Sequence, residues 1–133
     1  MWSKLNKYTD FGLLVIRLVV GIDFVIYGLM IFWGGKEVLT NVGSTVSHLG
    51  ITHGHLFFGI LAAAGELVGG LLFLSGAFFR PACLLLIWIM AMALTTHFFR
   101  HDPFQIYSHA MEMCAIFLGF FFIGPGKFSV DQQ

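Results

Sequence analysis

The sequence predicts an all-α fold, an integral membrane four-helix bundle with antiparallel helices and both termini in the cytoplasm. Three observations support it. Of 133 residues, 58% are hydrophobic and only 11% are charged, too few charges to cover the surface of a soluble domain of this size. Four apolar runs come close to the ~20 residues that cross a bilayer. Short polar connections separate the last three runs, which makes those helices sequential neighbours.

The first helix is expected over residues 11–33. It follows Lys4 and Lys7, as a signal peptide would, but its apolar part is too long and no small-x-small cleavage site precedes Gly34, so it reads as a retained span. The connection from Gly34 to His55 is rich in Gly, Thr, Ser and Asn and long enough to fold back over one end of the bundle. The second helix is expected over 56–79. A tight Arg80-Pro81 turn leads to the third over 81–99, with Pro81 in its first turn. Arg100 to Pro103 lead to the fourth over 104–123. No linker, low-complexity tract or repeat divides the chain, so 1–133 form a single domain.

Orientation follows from the basic residues near the helix ends. Lys4, Lys7, Arg80 and Lys127 fall on one side, Lys36 and Arg100 on the other, which places both termini in the cytoplasm and the histidines toward the opposite face. Trp2, Trp33 and Tyr107 suit the interface. The chain carries zero formal net charge, which argues against nucleic acid as a partner and leaves the lipid bilayer. Cys83 and Cys114 form no C-x-x-C or zinc-type pair and read as small buried hydrophobes.

Arg17, Asp23, Glu66 and Glu112 fall inside the predicted spans, where a charge costs roughly 2.5–3.5 kcal/mol and needs a partner. Mutual pairing that pins the helices is as good a reading as a functional role. Helical phase places Gly59, Ala62, Ala63, Glu66, Gly69, Gly70 and Phe73 on one small-residue face of the second helix, so Glu66 faces protein. On the first helix Val19, Asp23, Tyr27 and Met30 share a stripe, while Arg17, Gly21 and Gly28 share another. On the fourth, Gln105, His109, Glu112 and Ile116 align; on the third, Met90, Ala93 and His97 align.

All six histidines lie in two stretches, His48 to His55 and His97 to His109, which the topology places at one end of the bundle. Imidazoles with carboxylates suit a metal ion, haem, a proton relay or a quinone. The metal reading falls on His97, His109 and Glu112. Catalytic roles fall on Glu66 as buried proton acceptor, His97, and Arg17 as counter-charge; His109, Glu112, Asp23 and Tyr27 are the cofactor-binding candidates.

Two segments carry a family pattern: Gly65-Glu66-Leu67-Val68-Gly69-Gly70-Leu71-Leu72 running on to Arg80-Pro81, and Gly124-Pro125-Gly126-Lys127-Phe128-Ser129-Val130-Asp131. With Arg17-Leu18-Val19-Val20-Gly21 and Tyr27-Gly28, they resemble the DoxX family of small four-helix membrane proteins. The resemblance implies links to thiosulfate:quinone oxidoreductase subunits and to membrane complexes that handle oxidative or thiol stress. It carries over Arg17, Gly28, Glu66, Gly69, Gly70, Arg80, His97, the Gly124-Pro125-Gly126 turn, Ser129 and Asp131. Tyr27 stands where relatives often have His, and Ile31 where they often have Lys.

The expected function is a membrane component of a redox system, quinone-linked, in a bacterial-type inner membrane, with a polar His/Glu pocket in the extracytoplasmic half. As an enzyme it would be an oxidoreductase or a subunit of one, holding a quinone or a His/Glu-bound metal or haem. The alternatives are a non-catalytic accessory or scaffold subunit that binds other membrane or redox proteins, with glycine faces that also suit a homo-oligomer, and, third, a small transporter.

Overall fold

A computed structural model describes residues 2–131, with side chains described from Lys4 onward, so the Trp2 ring lies outside the described part. A 3-10 segment, Trp2–Tyr8, leads into α1 (Thr9–Trp33); α2 (Gly35–Gly43) and a second 3-10 segment, Ser44–Leu49, precede α3 (His55–Ser75), α4 (Phe79–Phe99) and α5 (Phe104–Ile123). No strand occurs among the described residues. Four helices are long and apolar enough to cross a membrane, over Lys4–Trp33, His55–Ser75, Phe79–Phe99 and Phe104–Ile123. At 1.5 Å per residue, 20 residues span about 30 Å. Trp33, at the end of α1, is 81% exposed, as an interfacial anchor requires.

One expectation needs correction. The second spanning helix stops at Ser75 rather than at residue 79. Gly76 takes φ +72°, and the amides of Gly76 and Ala77 both donate to the Leu72 carbonyl, which closes the helix in a left-handed cap. The next helix accordingly starts at Phe79 and takes in Arg80 and Pro81, where proline's missing N–H costs nothing in the first turn. The long connection, expected to fold back over one end of the bundle, does so as α2 and a 3-10 segment. Leu39 and Gly43 are buried on the inner side of α2. The helices α2 and α3 meet through two glycines: a Cβ on Gly43 would collide with the His55 carbonyl, and one on Gly59 with the Leu39 carbonyl.

Lipid tails are as apolar as leucine, so membrane helices associate through close packing and hydrogen bonds rather than by excluding water. The small-residue face of α3 serves this purpose: Gly59, Ala63, Glu66, Gly69, Gly70 and Phe73 are all buried. Gly21 of α1 abuts Leu74, Gly28 abuts Ala63 and Leu67, and Gly70 abuts Phe24 and Val25. An aromatic cluster then joins all four spans. The Phe73 ring meets Phe79, Phe117 and Phe120 at centroid distances of 5.0, 5.1 and 5.2 Å, and Phe24 meets Phe117 at 5.0 Å. Apart from the Phe73–Phe79 stack these contacts are edge-on, the preferred geometry, and each such pair adds roughly 0.5–1.5 kcal/mol.

Arg17 fastens the end of the bundle that carries the C-terminal tail. It is 1% exposed, and its guanidinium donates to four backbone carbonyls: Nε to Phe73 at 3.2 Å, Nη2 to Leu74 at 2.8 Å, and Nη1 to Pro125 at 2.9 Å and Phe128 at 2.8 Å. Two of these acceptors are orphan carbonyls in the last turn of α3, where a cation is favoured. The tail is stitched on further. Val130 and Asp131 donate their amides to the Ser75 and Gly76 carbonyls, and the Asp131 carboxylate accepts the Phe79 amide at 2.8 Å, capping α4 from 52 residues away.

Arg17→Leu should destabilise the protein by at least about 3 kcal/mol, because it strands several buried acceptors; Arg17→Lys, which cannot fork across four carbonyls, should fall between. Thermal unfolding in detergent would measure both. Gly59→Ala should lift α2 from α3 and increase protease cleavage between residues 34 and 55 while leaving the four spans protected.

Candidate functional site

Glu66 projects from the middle of α3 and is 8% exposed. Its Oε2 is shielded from solvent and has no hydrogen-bond partner among the described residues. A buried carboxyl oxygen without a donor costs free energy, so it marks either strain or a place for a ligand. Glu66 lines a cavity of about 380 Å³ enclosed by three parts of the chain. From α3 come Phe58, Leu61 and Ala62; from α4 come Leu85, Trp88, Ile89, Met92 and Ala93; and Val42, Thr45, Val46, Leu49 and Ile51 form a roof. The walls are almost wholly apolar, with Thr45 and Glu66 the polar exceptions. The sequence reading placed Glu66 correctly against protein and let the 34–55 connection fold back over one end of the bundle, but did not identify which of its residues cover Glu66. A signal was present, since Val38, Leu39, Val42 and Val46 recur at helical spacing.

The remaining candidates gather elsewhere. Asp23 is half-buried on α1, close enough for its charge to act on Glu66. Tyr27, one turn on, is 45% exposed, and its ring lies 5.9 Å from that of His109 on α5. His109 and Glu112 are both exposed. The aligned stripes of α1 and α5 therefore form an outward polar face, and none of these four residues lines the Glu66 cavity.

The two histidine stretches do meet at one end of the bundle. His48 stacks on Phe99 with centroids 4.4 Å apart and planes 8° from parallel, which ties the 3-10 segment to the end of α4. His55 Nε2 lies 3.1 Å from the Ser47 hydroxyl, tying the same segment to the start of α3. His97 pairs with Asp102, Nδ1 to Oδ2 at 2.7 Å, both side chains about one-quarter exposed. The sequence reading missed this partner because Asp102 falls in a tight connection rather than at helical spacing. His101, between them, takes φ +55°, and the Asp102 amide donates to the His97 carbonyl, so the backbone turns back and brings the carboxylate under the ring.

The structure does not bring His97, His109 and Glu112, the expected metal ligands, together. Among the described residues no three His, Cys, Asp or Glu side chains are arranged to hold a metal ion. The cause is geometric: His97 is held by Asp102, while His109 and Glu112 face outward from α5. Arg17 was expected to serve as the Glu66 counter-charge, but its donors are taken up by the carbonyls of Phe73, Leu74, Pro125 and Phe128. Phe73 and Leu74 lie about two turns beyond Glu66 on α3, which places the guanidinium roughly 10 Å along the helix from the carboxyl.

A model of the DoxX family matches residues 12–101, which takes in α1 to α4 and leaves α5 and the tail outside the matched segment. No curated protein and no solved structure matches the chain. The matched segment contains the whole cavity lining, Glu66 included.

Asp102→Asn and His97→Ala should each lower stability by only about 0.5–1 kcal/mol, since the pair is partly solvated, and a double-substitution cycle should show that the two losses overlap. Elemental mass spectrometry of tag-free protein should give the same metal content for the parent and for a His97→Ala/His109→Ala variant.

Proposed function

The chain belongs to the DoxX family, and on that premise we propose that it is an integral membrane component of a quinone-linked redox system whose ring-binding site is the Glu66 cavity. One observation carries the reading: an unpartnered, buried carboxyl oxygen on the wall of an otherwise apolar cavity of ligand size. Ligand pockets run to about 300–1,000 Å³, are mostly apolar and use few polar groups to orient what they bind. The donor set fits a quinone, with Phe58 and Trp88 to pack on a ring and Glu66 to bond its oxygen. Glu66 is the one His, Cys, Asp or Glu in that lining, so the cavity offers a metal ion no converging set of ligands.

When bound, a quinone supplies two-electron chemistry coupled to protons. The chain's own contribution is to orient the ring between α3 and α4, exclude water with the roof formed by the end of α2 and the 3-10 segment after it, and hold a proton at Glu66 Oε2. His97, read from the sequence as catalytic, lies outside the cavity lining and pairs with Asp102, so its role here is to position the end of α4. The order of contacts between α1 and α3, with Gly21 near Leu74 and Gly28 near Ala63, supports an antiparallel bundle. The distribution of lysine and arginine supports cytoplasmic termini; a bacterial-type inner membrane is part of the same proposal.

The outward face of Asp23, Tyr27, His109 and Glu112 supports a second reading, an accessory subunit docked to another membrane or redox protein, or to a second copy of itself. Carboxylates on a lipid-facing surface are expensive, and a partner would cover them. The transporter reading gains no support, since all four spans run unbroken.

Glu66→Gln, inserted and folded normally, should lose at least about tenfold of quinone-dependent turnover in membranes, as expected when a positioned acid-base group is removed. Unchanged turnover would remove Glu66 from the chemistry. Asp23→Asn/Glu112→Gln should leave the fold intact and weaken co-purification of a docked membrane partner; a partner retained in full would count against the accessory reading.

A further inference from the structure

Two hydrogen-bonding groups of the cavity are left without partners, one at each end. Glu66 is the lining residue of α3 farthest from the roof, and its Oε2 is unpartnered. Thr45 belongs to the roof itself, and its hydroxyl makes no hydrogen bond among the described residues. Its neighbours are different: the Ser44 hydroxyl donates to the Asn41 carbonyl at 2.6 Å, and the Ser47 hydroxyl lies 3.1 Å from His55 Nε2. A threonine on a helix can turn its hydroxyl back on the carbonyl four residues earlier, as Thr40, Thr95 and Thr96 do here. Thr45 instead leaves both its donor and its acceptor capacity to the cavity it lines.

Their spacing follows from the contact between α2 and α3. A Cβ on Gly43 would collide with the His55 carbonyl and stand 2.5 Å from the Gly59 amide nitrogen, so the roof that begins there rests on the first turns of α3. Glu66 lies about two turns beyond Gly59, roughly 10 Å along the helix axis. The Cα–Cβ bonds of a helix tilt toward its N-terminus, which carries the Glu66 side chain toward the roof and shortens the gap. One ring with a hydrogen bond of about 2.8 Å at each end covers a span of this order. Between the two groups the lining is apolar, with Ala62, Ile89 and Met92 along it. Leu61, Leu85 and Trp88 line the cavity and are 56%, 37% and 61% exposed within spanning helices, so the mouth opens on hydrocarbon and admits a lipid-soluble ligand.

We infer that the cavity between α3 and α4 is a two-point site for a lipid-soluble ring compound with oxygens at opposite ends, in which Glu66 holds one oxygen and the Thr45 hydroxyl the other. The inference rests on the quinone-linked reading and adds Thr45 as a residue that determines specificity. A hydroxyl and a carboxyl holding its proton can each donate or accept, so the pair serves a quinone and its hydroquinone alike. A ring with a single oxygen leaves one of the two groups unmet.

The test is equilibrium binding to the full chain in lipid nanodiscs under argon, with radiolabelled decyl-benzohydroquinone, the matching benzoquinone and 3-decylphenol, each corrected for retention by empty nanodiscs. Both two-oxygen rings should bind about fivefold tighter than the phenol, the worth of one neutral hydrogen bond. Thr45→Val, which keeps the shape and removes the hydroxyl, should bring them down to the affinity of the phenol and leave the phenol unchanged. Thr45→Ser should restore the difference, with helix content checking that each variant folds. Equal binding of all three compounds to the parent, or full affinity for the two-oxygen rings in Thr45→Val, would overturn the second anchor and leave the quinone-linked reading in place. An equal loss of all three in Thr45→Val would make Thr45 a packing residue of the roof and overturn the inference likewise. Saturable binding of neither quinone nor hydroquinone would overturn both.

Discussion

Arg17 is the constraint on which one end of this protein depends. A guanidinium in a transmembrane segment must find acceptors within the protein, and here it finds four carbonyls on two separate parts of the chain. Binding the last turn of α3 and the Gly124-Pro125-Gly126 tail at once, it ends one element and anchors another. The surroundings are built to admit it. A Cβ at Gly76 would stand 2.7 Å from Nη2, and the same glycine supplies the positive φ that stops α3. With α3 stopped there, Phe79 can begin α4 and bring its ring onto Phe73, 5.0 Å away. The tail that Arg17 holds returns the Asp131 carboxylate to cap that new helix.

From that end the packing runs through the aromatic cluster to the glycine contacts between α1 and α3, and then to the close approach of α2 at Gly43 and Gly59. The last contact is what makes a cavity rather than a groove. Without a helix resting directly on the backbone of α3, Glu66 would face an open cleft between α3 and α4. The roof encloses the space on the polar side and leaves exposed leucines and a tryptophan on the lipid side. Architecture thus decides both what the site excludes and what reaches it.

The polar residues of the spans divide into three sets by what surrounds them. Arg17 is saturated with carbonyls and structural. Glu66 is buried with an oxygen to spare. Asp23, Tyr27, His109 and Glu112 lie on an outer face that touches neither the Arg17 clasp nor the cavity lining. A cavity served from one side and a polar face on the other suit a protein that handles a lipid-soluble ligand next to a membrane partner.

The sequence by itself determined the membrane class, the four spans and their approximate limits, the inward face of Glu66 and the clustering of histidines at one end. Those properties follow from composition and from helical period, which act locally. Only the tertiary structure decided what each polar group meets. Arg17 and Glu66 sit inside the same bundle and look like natural partners in sequence, yet the carbonyls of Phe73, Leu74, Pro125 and Phe128 claim the guanidinium first. His97, His109 and Glu112 share one end of the bundle, but rotation of α5 and the Asp102 pairing keep them apart. The roof over Glu66 comes from a segment whose Gly, Ser and Thr content suggests a loop, because close approach at two glycines is a property of two backbones together and leaves little mark on either alone.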